Sequence, residues 1–257
     1  MLPIHSVLEP LKAALRDGNV AVLAAPPGAG KTTVVPLALL DQPWRGDGRV
    51  LVLEPRRLAA RAAADRMAAA LGEQAGGTVG YRTRLQSRIG PKTRIEVITE
   101  GVFTRMILDD PGLDGVGAVL FDEFHERSLD ADLGLALARE AQGLLRDDLR
   151  LLVMSATLDI AGVSRLLDGA PVIEAEGRMF PVETRYLGRN AAERFEDAMA
   201  RACRLALGEQ TGSILVFLPG QGEIHRVAQR LADRLPASVD LVPLYGALDK
   251  AEQDRAL

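Results

Sequence analysis

The sequence predicts an α/β fold in which helices cover both faces of a parallel β-sheet. Short runs of aliphatic residues alternate along the chain with longer segments whose apolar residues recur every three or four positions. A run that is apolar at every position indicates a strand buried on both faces, which is the environment of a parallel sheet between two layers of helices.

The first 170 or so residues contain five predicted strands and five predicted helices. The strands are expected at 20–24, 49–53, 94–99, 118–121 and 149–154. Four of the helices are expected at 31–41, 58–71, 100–108 and 129–145. The remaining helix is expected to begin at Ser6, because Glu9 follows at capping-box spacing and Pro10 falls in the first turn.

A stretch containing glycine and proline, residues 169–181, predicts a change of domain. Strand and helix signals then start again. Strands are expected at 182–187, 213–218 and 239–244, and helices at 191–207, 220–235 and 249–257. The predicted division is a first domain of residues 1–178 and a shorter second unit of residues 179–257.

Composition excludes several classes of protein. Hydrophobic residues make up 47% of the 257 residues and the formal net charge is -4, which favours a folded core over a disordered chain. No apolar run approaches the roughly 20 residues of a membrane span, and no secretory signal is visible, so the expected location is cytoplasmic. One cysteine, Cys203, and three histidines predict neither a disulfide nor a zinc cluster.

Charge is distributed unevenly along the chain. Residues 54–105 carry ten basic and five acidic side chains, a net charge of +5, whereas residues 109–148 carry eleven acidic and three basic ones, a net charge of -8. A basic face on an acidic chain fits contact with a polyanion. The alternative is that arginine is simply the preferred surface cation, because 27 arginines accompany only four lysines.

Residues 25–33 (Ala-Pro-Pro-Gly-Ala-Gly-Lys-Thr-Thr) join a predicted strand to a predicted helix, which is the setting of a phosphate-binding loop. Backbone N–H groups of such a loop, together with the N-terminus of the helix, bind phosphate oxygens. Lys31 is expected to bind the β- and γ-phosphates of ATP, and the Thr32 hydroxyl to hold Mg²⁺. The predicted nucleotide-binding residues of the loop are Gly28, Ala29, Gly30, Lys31, Thr32 and Thr33.

Two acidic residues directly follow the predicted strand 118–121. At a strand end, next to a phosphate loop on a neighbouring strand, Asp122 is suited to provide the second anchor of Mg²⁺. Glu123 is expected to orient or deprotonate the attacking water. An isolated Asp-Glu pair is more often a solvated turn, and the phosphate loop is what favours the catalytic interpretation.

Small hydroxyl residues end another buried strand. Ser155 and Thr157, which flank Ala156 after the strand 149–154, could hydrogen-bond the acidic pair and carry its state to a neighbouring domain. Taken alone, such a segment is usually a turn.

These three segments, in this order and spacing, resemble motifs I, II and III of superfamily 2 helicases, and the sequence Asp-Glu-Phe-His at 122–125 is similar to the DEAH-box group. Residues 54–60 (Glu-Pro-Arg-Arg-Leu-Ala-Ala), 99–101 and 215–220 resemble motifs Ia, Ib and IV. Residues 2–4 and 243–248 are most similar to bacterial HrpB-type ATP-dependent helicases. The resemblance covers essentially the whole chain.

The resemblance implies a RecA-like P-loop NTPase domain followed by an incomplete second RecA-like domain, with ATP bound between them. The implied activity is ATP hydrolysis, stimulated by single-stranded nucleic acid and coupled to translocation or unwinding, with RNA favoured over DNA. The implied catalytic residues are Lys31, Asp122, Glu123 and His125. The implied contacts to the nucleic-acid backbone are Arg56, Arg57, Thr99 and Gly101.

By the same resemblance, Arg66 stacks on adenine. The alternative is that Arg66 is an ordinary solvent-exposed arginine on a helix. His125 links the nucleotide site to the second domain, with Ser155 and Thr157 in the same coupling role. The family's motifs V and VI are absent, and motif VI supplies arginines worth roughly 10³ to 10⁵ in rate. The chain is therefore expected to be an N-terminal piece of a longer helicase, to bind Mg·ATP weakly and to hydrolyse it poorly.

Two other functions stay open on the sequence alone. One is a P-loop kinase acting on a small molecule. Its rate of ATP hydrolysis would not change when RNA is added. The other is a nucleotide-gated binding module without catalysis, which the absence of motif VI would suit.

Overall fold

The computed structural model describes residues 2–156, 160–176, 181–188, 190–232 and 234–256. The chain divides into two compact units, residues 1–180 and residues 181–257. The predicted domain boundary at 178/179 lies outside the described residues.

An eight-stranded sheet forms the centre of the first unit. Its strands are β1 (Val20–Ala24), β2 (Arg49–Glu54), β3 (Val79–Arg82), β4 (Ser87–Arg88), β5 (Ile95–Thr99), β6 (Val116–Phe121), β7 (Arg150–Ser155) and β8 (Val172–Glu174). Their order across the sheet is β4-β3-β5-β2-β6-β7-β1-β8. The β3–β4 hairpin is antiparallel, and every other neighbouring pair is parallel.

Helices cover both faces of this sheet. They are α1 (Leu8–Asp17), α2 (Lys31–Ala38), α3 (Arg57–Ala70), α4 (Glu100–Asp109), α5 (Leu129–Leu144) and α6 (Ile160–Leu166). Side chains of α1, α2 and α3 share one hydrophobic core with Ala21 and Leu23 of β1, whereas those of α4 and α5 share a second core with Val20 and Val22. Because successive strand residues point to opposite faces, the continuous apolar runs supply both cores. The predicted fold class is confirmed.

The sequence patterns did not predict the shortest elements, and the predicted start of α1 was wrong. β3, β4, β8 and α6 have two to seven residues, too few for a periodic pattern. Residues Pro3–Val7 form a 3₁₀ helix ahead of α1, so Ser6 lies inside a turn and its hydroxyl donates to the Pro3 carbonyl at 2.9 Å. The expected capping box with Glu9 was therefore wrong.

The second unit contains α7 (Phe195–Glu209), α8 (Gln221–Ala232) and α9 (Lys250–Ala256). A small core forms between α7 and α8 around Ala200, Cys203, Val227 and Leu231. The strands expected at 182–187, 213–218 and 239–244 were wrong, since none of these segments is hydrogen-bonded as a strand in the described part of this unit. A parallel strand needs a paired neighbour on at least one side, and here Leu215 and Phe217 are 74% and 83% exposed.

None of the helices in the described ranges is both long enough and apolar enough to cross a membrane.

Candidate active site

The phosphate-binding loop predicted from the sequence connects β1 to α2. Gly28 and Gly30 have φ values of +76° and +97°, in the left-handed region that favours glycine. A Cβ atom at Gly30 would lie 2.9 Å from the Leu2 side chain, which packs under the loop together with Ile4. The Ala25 N–H donates to the Ser155 carbonyl at 3.0 Å, so the loop is also fixed to the end of β7.

Two contacts join this loop to the acidic pair. Lys31 Nζ lies 2.8 Å from Glu123 Oε1, and the Thr32 hydroxyl donates to the Asp122 carboxylate. The side chain of Lys31 is only 4% exposed, so this ion pair is shielded from solvent on the lysine side. The residues expected to bind phosphate, Mg²⁺ and the attacking water are thus joined by two side-chain contacts.

One part of the prediction needs correction. The phosphate loop and the acidic pair were expected on neighbouring strands, but β7 lies between β1 and β6 in the sheet. The side chains of Lys31 and Thr32 reach across the end of β7 to the acidic residues. Because all three strands are parallel, their carboxyl ends share one edge, and the functional groups still meet.

The acidic pair lies between two packed aromatic residues, and the backbone at Glu123 is strained. Phe121 and Phe124, on either side of the acidic pair, are buried and pack edge-to-face with ring centroids 6.3 Å apart. Glu123 has a φ of +47°, a conformation that costs a non-glycine residue roughly 1–2 kcal/mol. The Asp122 carboxylate accepts the Glu123 N–H at 2.8 Å, which stabilises the turn that directs Glu123 toward Lys31.

A third carboxyl group, that of Glu54, lies at this site, and the sequence reading did not assign it a role. Glu54 ends β2, is only 3% exposed, and borders the same cavity as Thr32 and Glu123. Burial, followed by the charges of Asp122 and Glu123, raises the pKa of Glu54 to about 8. The available signal was a carboxylate directly after the buried apolar run of β2.

Asp122 itself experiences opposing influences. Burial raises its pKa, while the hydrogen bond from Thr32 and the charge of Lys31 act in the opposite direction. The Asp122 N–H donates to the Leu53 carbonyl at 3.0 Å, which ties the end of β6 to the end of β2.

A cavity of about 320 Å³ opens beside these groups. Its lining includes Thr32, Thr33, Glu54, Arg66 and Glu123. Arg66, on α3, thus borders the same space as the phosphate loop, where the resemblance places an adenine.

His125 and the end of β7 also meet. The Ala156 N–H donates to His125 Nδ1 at 3.3 Å, and the same nitrogen lies 3.3 Å from Glu123 Oε2. His125 therefore bridges the acidic pair and the segment that follows Ser155, which is itself buried. Thr157 lies outside the described residues.

The residues expected to contact nucleic acid lie along the same edge of the sheet. Arg56 and Arg57 follow β2, and Thr99 and Gly101 end β5 and begin α4. β2 and β5 are paired, with Glu54 opposite Thr99. Arg56, Arg57 and Gly101 are exposed, while Arg56 Nη2 lies 2.9 Å from Glu126 Oε1.

The residues present fit a magnesium-bound nucleoside triphosphate. A buried ammonium group, a hydroxyl and a carboxylate in contact, and the N-terminus of α2 are the donors that phosphates and Mg²⁺ require. Lys31 and the loop N–H groups would hold phosphate, Thr32 and Asp122 would hold the metal, and Glu123 borders the cavity.

Comparison with known proteins gives one consistent result. The family model described as DEAD/DEAH box helicase matches residues 8–166. The ATP-dependent RNA helicase HrpB of Escherichia coli is 54% identical over 256 residues, which are 100% of this chain and 32% of that protein. The ATP-dependent RNA helicase HrpA homolog of Haemophilus influenzae is 33% identical, over 99% of this chain and 20% of that protein.

A crystal structure of the Escherichia coli DEAH/RHA helicase HrpB superimposes with a TM-score of 0.93 at 54% identity, covering 100% of this chain and 33% of that one. The chain therefore spans a third or less of the length of these relatives.

Proposed function

The chain belongs to the DEAD/DEAH box helicase family, and from this premise we propose that it binds ATP with Mg²⁺ and couples hydrolysis to movement along single-stranded nucleic acid. The observation that carries the proposal is the pair of contacts, Lys31 to Glu123 and Thr32 to Asp122, that joins the phosphate loop to the acidic pair. A phosphate-binding lysine, a metal-binding pair and a carboxylate for water are the parts that phosphoryl transfer to water requires.

We infer these roles for the chain's own residues. Lys31 exchanges Glu123 for the phosphates of the nucleotide, and Thr32 and Asp122 hold Mg²⁺, whose charge offsets that of the phosphates. Glu123, once separated from Lys31, accepts a proton from water or orients it. His125 senses this change, because it contacts both Glu123 and the Ala156 N–H.

We propose RNA as the nucleic acid. The support is that the relatives are named ATP-dependent RNA helicases, together with the exposed Arg56 and Arg57 next to the nucleotide site. Arginines at this edge suit phosphate contacts, which give affinity without reading sequence. A cytoplasmic location and a second RecA-like unit from residue 179 onward stay predictions.

Family membership argues against the small-molecule kinase. It does not distinguish a helicase from a nucleotide-gated binding module, and hydrolysis is what separates these two. The test is ATP binding and hydrolysis with and without single-stranded RNA, using the chain and its Lys31→Ala and Glu123→Gln variants.

We expect Lys31→Ala to lose ATP binding, and Glu123→Gln to keep binding while losing hydrolysis. RNA should stimulate whatever hydrolysis the chain shows. Equal ATP binding by Lys31→Ala would contradict the site, hydrolysis indifferent to RNA would favour a different ATPase, and binding without any hydrolysis would favour the module.

A further inference from the structure

We propose that the cavity between α7 and α8 is a phosphate-binding site built from four arginines of the second unit. Its ligand is a compound that carries phosphate groups, either a free phosphate compound such as a nucleoside polyphosphate or the backbone of a nucleic acid. The inference goes beyond the function proposed above and does not depend on it, because no residue of the phosphate loop or the acidic pair lines this cavity.

The first observation is the size and the charge of the cavity. Its volume is about 420 Å³, within the range of roughly 300–1,000 Å³ that is usual for ligand sites. Its charged lining residues are Glu193, Asp197, Arg201, Arg204, Arg230 and Arg234. The lining therefore has a net charge of +2, whereas the whole chain has a formal net charge of -4. A basic cavity on an acidic chain attracts anions.

The second observation is that two of these arginines are held in place by hydrogen bonds. Arg201 donates from Nε and Nη2 to the two carboxylate oxygens of Glu193, at 3.2 and 3.0 Å. Arg230 donates from Nε to the Asp197 carboxylate and from Nη1 to the Arg226 carbonyl at 3.1 Å. Within the described residues, Nη1 of Arg201 and Nη2 of Arg230 have no hydrogen-bond partner and can donate to a ligand.

These two ion pairs are suited to orient the arginines. All four side chains are partly exposed, and exposed ion pairs contribute little to the stability of a fold. A guanidinium group is planar, however, and two hydrogen bonds fix the direction in which its remaining nitrogen points. A donor that is already oriented loses less conformational entropy when it binds an anion.

The third observation concerns the other two arginines of the lining. Arg204 lies on α7 three residues after Arg201, and Arg234 follows the end of α8 by two residues. Neither forms a hydrogen bond or an ion pair with any residue that the structure describes. Two guanidinium groups without a counter-charge thus border the same cavity as two that are paired. Their mutual repulsion favours the binding of an anion.

The donors of the cavity fit phosphate groups better than a carboxylate. Four guanidinium groups and the Gln229 side chain line it, and each arginine can bind an anion through a fork of two N–H groups. A carboxylate has two oxygens in one plane and occupies one such fork. A phosphate group has three acceptor oxygens and up to two negative charges. A ligand with at least two phosphate groups therefore matches the number of donors.

The experiment measures binding of inorganic pyrophosphate by isothermal titration calorimetry in EDTA. The whole chain is used with the substitution Lys31→Ala, so that phosphate binding by the first unit is suppressed. We expect saturable binding of pyrophosphate, and a loss of affinity of roughly tenfold or more when Arg204→Ala and Arg234→Ala are added together. Gln229→Glu, at an exposed position of α8, should also lower the affinity severalfold, because it adds a carboxylate to the lining and keeps every arginine.

The matched control removes the same charge elsewhere. Arg16→Ala and Arg165→Ala together remove two exposed arginines of the first unit, neither of which lines the cavity. This pair of substitutions should leave the affinity for pyrophosphate unchanged. An equal loss of affinity in the control would show that the total charge of the chain attracts pyrophosphate, and the proposal would be overturned.

Competition distinguishes the two sources of the phosphate groups. Displacement of pyrophosphate by oligouridylate would identify a nucleic-acid backbone as the ligand, whereas displacement by ATP and not by oligouridylate would identify a free phosphate compound. Either result supports the site.

The proposal is overturned if the Lys31→Ala chain does not bind pyrophosphate at millimolar concentration, or if the two arginine substitutions leave its affinity unchanged. Circular dichroism checks the folding of each variant, and Gln229→Glu provides the test if the double arginine variant does not fold. Failure of the proposed function would appear as equal ATP binding by the parent chain and Lys31→Ala, and it would leave the pyrophosphate result intact.

Discussion

Lys31 Nζ is 2.8 Å from Glu123 Oε1, so the lysine of the phosphate loop is paired with a carboxylate of the acidic pair across the end of β7. The lysine side chain is 4% exposed and the glutamate 27%. This pairing keeps a buried ammonium group satisfied, and a bound phosphate would take over the lysine and release Glu123. The residue proposed to bind phosphate and the residue proposed to activate water are therefore connected by one ion pair.

Removing this lysine should weaken nucleotide binding. We expect Lys31→Ala to lower the affinity for a fluorescent ATP analogue at least tenfold, because hydrogen bonds to charged groups contribute about 1.5–3 kcal/mol each. Equilibrium titration with the analogue measures the effect. Lys12→Ala is the control, since Lys12 lies on α1 and pairs with Glu9. Equal affinity in the parent and Lys31→Ala would rule out a phosphate contact by this residue.

Much of this site follows from the sequence for a physical reason. The phosphate loop and the acidic pair each follow a buried parallel strand, and the ends of such strands lie at one edge of the sheet, so the sequence alone predicts that Lys31, Thr32, Asp122 and Glu123 lie together. The place of Glu54 beside the acidic pair could not be foreseen, because it depends on β2 lying beside β6. Strand order is decided by long-range pairing, which leaves no local pattern in the sequence.

In the second unit, by contrast, the sequence pattern predicts strands that the described residues do not form. Its apolar runs have the local pattern of strands, yet residues 213–218 form no paired strand within the described part of the chain. Periodicity in the sequence indicates which face of a segment is apolar. A strand also requires hydrogen bonds to a neighbouring strand, which periodicity does not indicate. Helices make their own hydrogen bonds, and α7, α8 and α9 were accordingly predicted to within a few residues.

Ser128, at the N-terminus of α5, is expected to stabilise the fold. Its hydroxyl oxygen accepts the Ala131 N–H at 2.9 Å at the N-terminus of α5, and the hydroxyl donates to Glu100. Ser128→Ala should lower the free energy of unfolding by about 1–2 kcal/mol, the usual cost of a lost N-cap with a second lost bond. Urea unfolding measures this change.

The matched control for that measurement is Ser6→Ala. The Ser6 hydroxyl donates to a carbonyl three residues back in an exposed 3₁₀ turn and caps no helix. Its removal should change the free energy of unfolding by less than about 0.5 kcal/mol, as for most surface substitutions. Equal stabilities of the parent and Ser128→Ala would contradict the capping role.

Arg57 is expected to contribute to RNA affinity through charge. Each phosphate contact to a single strand releases counterions, so the slope of log K against log salt should become shallower by about 0.7 in Arg57→Ala. Affinity should fall by a similar factor for oligouridylate and oligoadenylate, because the contact does not read bases. Arg16→Ala, an exposed arginine paired with Asp17, should leave the slope unchanged. An unaltered slope in Arg57→Ala would exclude the contact.

Glu54 should make the stability of the ligand-free chain depend on pH. Its pKa is about 8 in the folded protein, because it is buried beside two other carboxylates, and 4.5 when unfolded. Between these values the folded chain holds a proton that the unfolded chain has released. The stabilisation is therefore complete below pH 4.5 and is lost as the pH rises through 8, with a slope of up to about 1.4 kcal/mol per pH unit.

Glu54→Gln removes this titration while it keeps a polar side chain of nearly the same size. The free energy of urea unfolding, measured in EDTA from pH 5 to pH 8, should fall more steeply for the parent chain than for Glu54→Gln. Glu9→Gln, at a position whose side chain is 83% exposed, should follow the parent curve. Parallel curves for the parent and Glu54→Gln would show that Glu54 is ionised in the folded chain throughout this range, which would contradict its raised pKa.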